Sequence, residues 1–75
     1  MSQDRLAAHV ATMRAYLATE EGRREMKRLG LCFGLSYPAA LCQQVAILCG
    51  VSRYEDLAAI VDEVLIEELA LGEVA

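Results

Sequence analysis

From Leu29 to Ser52 the chain carries no Asp, Glu, Lys, Arg or His. A stretch of that length needs cover, so the fold has to be arranged around it. Inside it, Pro38 to Cys49 reads as one helix. Pro38 suits a first turn, where its missing N–H would have no partner anyway. Gly50 suits the left-handed position past a helix end, with Val51 placed for the accompanying apolar contact. Only Gln43 and Gln44 interrupt the apolar surface. A helix apolar nearly all round is expected to be enclosed by its neighbours.

The flanking segments must supply that enclosure. Near the start, Ser2 or Asp4 can cap a first helix. Leu6, Val10, Met13 and Leu17 then follow at i, i+4, i+7 and i+11, a stripe on one face. Ala7, Ala11, Ala15 and Ala18 would widen it with small side chains. Beyond Leu17 the same stripe would bury Glu20, Glu21 and Arg24. A second helix from Glu20 to Leu29 is therefore expected, capped by Thr19 and closed by Gly30. Its buried side would be Gly22, Met26 and Leu29. A single long helix kinked at Thr19–Gly22 is the alternative. Leu31 to Tyr37 alternates apolar and small residues, so it reads as a buried linker, or as a short strand paired with its twin in a dimer.

Ser52 and Glu55 have the spacing of a capping box. They open a last helix, expected from Arg53 to Leu71 with Gly72 as its stop. At about 100° per residue, Leu57, Ile60, Val61, Val64, Leu65, Leu69 and Leu71 share one broad side. Glu55, Asp62 and Glu73 form one acidic flank, and Asp56, Glu63 and Glu67 the other. Ala59, Ile66 and Ala70 lie between them. Glu68 falls into the apolar side, where a lone carboxylate calls for a cation. The expected fold is thus all-α: one helical domain over 1–75, with three to four helices around the central apolar helix at 38–49 and a long C-terminal amphipathic helix at about 53–71.

At 75 residues, 56% of them hydrophobic, the chain holds more apolar material than a small core hides, because a domain near this size buries only about 60% of its unfolded surface. A homodimer is the expected resolution. Net charge is −4, which disfavours general affinity for phosphate backbones. The charge is uneven: residues 1–30 carry six Lys/Arg against four Asp/Glu, and residues 31–75 one Arg against seven acids. The uncharged stretch is broken by Pro38, two glutamines and glycines, and its helical part is too short for about 30 Å of hydrocarbon, so no membrane span is expected. Three cysteines without a secretory pattern at the start read as reduced thiols in a cytoplasmic protein.

No arrangement for nucleophilic or acid–base catalysis can be assembled, so a non-enzyme is expected. Cys32, Cys42, Cys49 and His9 lack the spacing of a zinc motif, and neither metal nor cofactor is expected. The cysteines read as small buried apolar residues, and His9 as a partly buried structural side chain. Two surfaces remain. The acidic last helix, through Asp56, Ala59, Asp62, Glu63, Ile66, Glu67 and Ala70, can meet a basic surface on a protein partner. Arg23, Arg24, Lys27 and Arg28 form a basic cluster that can contact nucleic acid, though no aromatic side chain is interleaved for stacking.

Gln43 to Ile60 resembles a helix-turn-helix unit, with Ala46 and Gly50 at the spacing such units use and Val51-Ser52 after them. Leu31 to Leu71 resembles a ribbon-helix-helix unit, an extended piece and two helices joined by Gly-x-Ser. Either resemblance implies a small DNA-binding regulator. The residues depart from it where DNA would be read: the second helix is acidic, and Cys32, Gly34 and Ser36 offer no base-reading side chain. The leading expectation is therefore a non-catalytic adaptor or inhibitor, by analogy with small acidic proteins of phage or mobile-element type. The DNA-binding regulator is the alternative, and a purely structural subunit comes third.

Overall fold

The computed structural model describes residues 1–74, with side chains to residue 70. Four helices follow one another: α1 Gln3–Ala18, α2 Glu20–Phe33, α3 Tyr37–Cys49 and α4 Tyr54–Val74. The all-α expectation holds. Each junction has a local cause. Ser2 caps α1, its hydroxyl accepting from Arg5 N. Thr19 breaks α1 from α2 by adopting an extended backbone, and its Oγ1 accepts from Gly22 N at 2.9 Å while donating to the Tyr16 carbonyl at 2.6 Å. Ser36 caps α3, with Pro38 in the first turn and Gly50 left-handed behind the last.

Three boundaries differ from expectation. The second helix does not close at Gly30. It runs on to Phe33 and ends at Gly34, whose φ of 65° provides the left-handed cap. Helical hydrogen bonding thus absorbs half of the expected linker, and no strand forms among the described residues. The capping box is not made: α4 begins at Tyr54, Arg53 O accepts from Leu57 N, and the Glu55 carboxylate pairs with Arg53 at 3.3 Å. Gly72 does not stop α4, which continues to Val74. The expected positions of Leu71 on the core side and Glu73 on an acidic flank lie outside the described side chains.

Contacts between named residues set the arrangement. Arg14 on α1 meets Glu67 on α4, and Arg5 and His9 share a hollow with Arg53 and Asp56, so α1 and α4 run parallel. Tyr16 reaches Gln44, the Cys49 thiol faces the His9 carbonyl, and Tyr37 meets Glu68. Hence α3 runs antiparallel to both. Met26, Arg23 and Lys27 of α2 share a hollow with Leu17, Tyr37 and Glu68. This places α2 across the end where α1 finishes and α3 begins. The result is a slab of 34 × 32 × 18 Å.

All four helices feed one core: Val10 and Met13, Met26 and Leu29, Ala40, Leu41 and Val45, and Ile60, Val61 and Val64. A fully buried side chain of this kind contributes roughly 1.5–3 kcal/mol relative to exposure. The sequence stripes on α1 and α2 hold, with Leu6 and Leu17 at the margin. The alanine row does not widen the first stripe. Ala7, Ala11, Ala15 and Ala18 all stay exposed.

The central helix is not enclosed. It buries Ala40, Leu41, Gln44 and Val45 and leaves Ala39, Gln43 and Ile47 in water. A slab this thin covers α3 on one side only. Gln44 inside the core has its Oε1 bonded by the Tyr16 hydroxyl at 3.4 Å, which meets the requirement that buried polar groups be paired.

Candidate functional site

Parallel packing of α1 against α4 decides what becomes of the acidic rows. Asp56 is half-buried in the hollow it lines with Arg5, His9 and Arg53. Glu67 is also drawn inward: Arg14 Nε lies 3.1 Å from its Oε2. That oxygen is shielded from water but receives no aligned N–H, so the attraction is Coulombic rather than a hydrogen bond. Glu63 and Glu67 line one side of a groove of about 300 Å³, and Gln3, Leu6, Ala7, Val10, Ala11 and Arg14 line the other. Of this acidic row, Glu67 alone is paired within the chain among the described residues.

The outward side of α4 is different. Asp62, Glu63, Ile66, Leu69 and Ala70 are exposed and Ala59 is half-exposed. Ile66 is 58% and Leu69 68% exposed. Asp62, Ile66 and Leu69 lie within about 60° of one another around the axis, at 3.6 residues per turn. Among the described residues Asp62 and Glu63 make no ion pair. Two large apolar side chains flanked by unpaired carboxylates therefore form one face. Asp62, Glu63, Ile66 and Ala70 of the expected partner-binding set gather there, Ala59 sits at its edge, and Asp56 and Glu67 leave it. Leu69, expected on the core side, joins it instead. Its place at the margin of the apolar arc was the available signal, since α3 begins at Tyr37 and gives no cover beyond Glu68.

Among the described residues Glu68 makes no ion pair, although Arg23 and Lys27 border the same hollow. The Tyr37 hydroxyl donates to its Oε1 at 2.8 Å. Burial, then the bond to Glu68 and that residue's charge, push the Tyr37 phenol up to about 12. The acid expected to need a partner's cation is thus satisfied by a neutral donor in its own chain.

The basic cluster is mostly engaged. Arg24 pairs with Glu20 at 3.1 Å, and Arg28 Nε reaches Glu25 Oε2 at 3.1 Å. The Arg28 hydrogen bond holds the Glu25 carboxyl below its usual range. Arg28 also lies 5.5 Å from the centre of the Phe33 ring. Arg23 donates to the Ala18 carbonyl at 2.6 Å, closing the end of α1. Lys27 alone in the cluster makes no ion pair or side-chain hydrogen bond among the described residues, and it borders the α2–α3 hollow.

Folding brings together one set that sequence spacing did not suggest. His9, Cys49, Ser52 and Asp56 line the same hollow of about 430 Å³. Cys49 Sγ faces the His9 main-chain carbonyl at 4.0 Å, and burial pushes the thiol up. A nucleophilic cysteine needs the opposite shift. Among the described residues no cluster of His, Cys, Asp and Glu can hold a metal ion. Cys42 and Cys49 are half-buried, but Cys32, expected inside, is exposed because α2 runs past the core. No described helix is long and apolar enough to cross a membrane.

The chain matches no protein-family model, no curated protein and no solved structure.

Proposed function

We propose that the protein is a non-catalytic protein-interaction module, an adaptor or inhibitor, whose α4 outward face docks on a basic surface of its partner. One observation carries this reading: Ile66 and Leu69, both more than half exposed, share a face with Asp62 and Glu63, which make no ion pair among the described residues. The apolar pair supplies area to be desolvated at the centre of a contact. The carboxylates supply a rim that steers and orients a cationic partner. The cationic side chains of α2 are mostly committed to Glu20, Glu25 and the Ala18 carbonyl, which favours this face over nucleic-acid binding through Arg23, Arg24, Lys27 and Arg28.

Calorimetry with a synthetic amphipathic helical peptide, lysines flanking leucines, tests the reading. The wild-type chain should bind it. Asp62→Lys with Glu63→Lys should abolish binding while helical circular dichroism is unchanged, and Ile66→Ser should weaken it at least tenfold. If the peptide is ignored while duplex DNA is shifted at low salt, and the shift is lost in Lys27→Glu, the regulator reading replaces this one.

A further inference from the structure

The outward strip of α3 is uncharged and open. Ala39, Gln43 and Ile47 recur at every fourth position, and all three are exposed, Ile47 at 64%. Leu48 adjoins Ile47 and is also exposed. The nearest charges in sequence are Arg28 and Arg53. The folded chain has an accessible surface of 5084 Å², against about 4,500 Å² for a compact monomer of 8.2 kDa. That excess, about 600 Å² over the whole chain, is below the roughly 800 Å² each partner gives to a standard interface and matches a small one.

We propose that two copies of the chain pair through this strip about a two-fold axis passing beside Gln43. The strip is complementary to itself. A two-fold axis at residue 43 sets each Ala39 opposite the other copy's Ile47, the smallest side chain of the strip facing the largest. It also sets Gln43 against its own copy, and a carboxamide carries both the donor and the acceptor that such a pair needs. Rows spaced by four on both helices interdigitate at a crossing of about −50°. Each copy carries a net charge of −4, so pairing through the acidic face of α4 would set like charges together. The α3 strip itself carries no charge. This contact uses a face that partner binding through α4 leaves open, so the two readings fail separately.

Sedimentation velocity across a concentration series tests it. The wild-type chain should sediment at twice 8.2 kDa. Ile47→Glu and Gln43→Glu should each give the monomer mass, with helical circular dichroism retained because both side chains are exposed. In a Cys32→Ser background, Gln43→Cys should form a disulfide-linked dimer on diamide oxidation, since a residue on the axis faces itself, and Asp62→Cys should not. The proposal is overturned by a monomer at every concentration, by a dimer that survives both glutamates, or by cross-linking at Asp62→Cys in place of Gln43→Cys. Asp62→Lys with Glu63→Lys should remain dimeric.

Discussion

At the scale of single residues, three glycines in helical or cap positions separate into different roles. A Cβ on Gly22 would lie 2.0 Å from the Tyr16 carbonyl oxygen and 2.8 Å from its carbon. Both are backbone atoms, so α2 would have to move off α1. Gly22→Ala should cost more than about 2 kcal/mol, in line with overpacking of a tight contact. Gly30 has open surroundings, with nothing nearer than 3.7 Å, and lies inside α2. Gly30→Ala should gain about 0.5–1 kcal/mol. Gly34 has space but a φ of 65°, so Gly34→Ala should lose about 1 kcal/mol. Urea unfolding of the three variants checks the order, and equal effects would refute it.

Tyr37 gives the residue scale a pH dependence. Its phenol is pushed from 10.0 up to about 12, by burial first and then by Glu68. An acid with a higher pKa in the folded state stabilises the fold while it stays protonated. This contribution is complete below pH 10 and is lost as the pH rises towards 12. Melting temperature should fall across that window, and Tyr37→Phe should fall less steeply. A parallel decline in the two proteins would show that ionisation of the Tyr37 phenol is not responsible.

At the scale of elements, the corner at Thr19 defines the topology. Its hydroxyl accepts from Gly22 N and donates to the Tyr16 carbonyl, so one side chain ends α1 and begins α2. Thr19→Ala should cost about 1–2 kcal/mol, the upper part of the range for an N-cap. Thr19→Ser keeps the hydroxyl and should recover most of it. Chemical denaturation of the pair measures the difference. The Arg14–Glu67 contact between α1 and α4 is half exposed, and such pairs contribute about 0–1 kcal/mol. It aligns the two helices more than it holds them.

At the scale of the whole molecule, shape and charge act together. A slab 18 Å thick cannot enclose a 56% hydrophobic chain: Leu31 and Phe33 stay exposed at the end of α2 and Tyr54 at the start of α4, and the two faces proposed for contacts are of different kinds. On α4 the apolar surface is bordered by carboxylates, and on α3 it is neutral. The two kinds call for opposite salt responses. Binding of the lysine-rich peptide should weaken as ionic strength rises, because the rim charges are exposed and screened over about 10 Å at 0.1 M. Pairing through α3 should hold or strengthen. Titrations from 0.05 to 0.5 M salt, roughly a threefold change in screening length, compare the two directly.

Local signals in the chain were enough for the helical class, a discontinuity or kink near Thr19, the Pro38 start and Gly50 end of the central helix, and the buried sides of α1 and α2, while the choice of a true break at Thr19 and the Ser36 cap came with the structure. The local signals are caps, left-handed glycines and 3.6-residue spacing, which act within a few residues along the chain. How far α2 runs was settled by packing across the fold, because Gly30 and Gly34 can each end a helix and Leu35 packs against the core behind the second of them. The tertiary structure alone decided that Glu68 meets Tyr37 and Glu67 meets Arg14, since those partners are 31 and 53 positions apart in the numbering. It also decided that Leu69 and the strip of α3 stay in water. Periodicity marks which side of a helix is apolar. How many neighbours arrive to cover that side depends on the directions the other helices take, and those are set by packing across the whole slab.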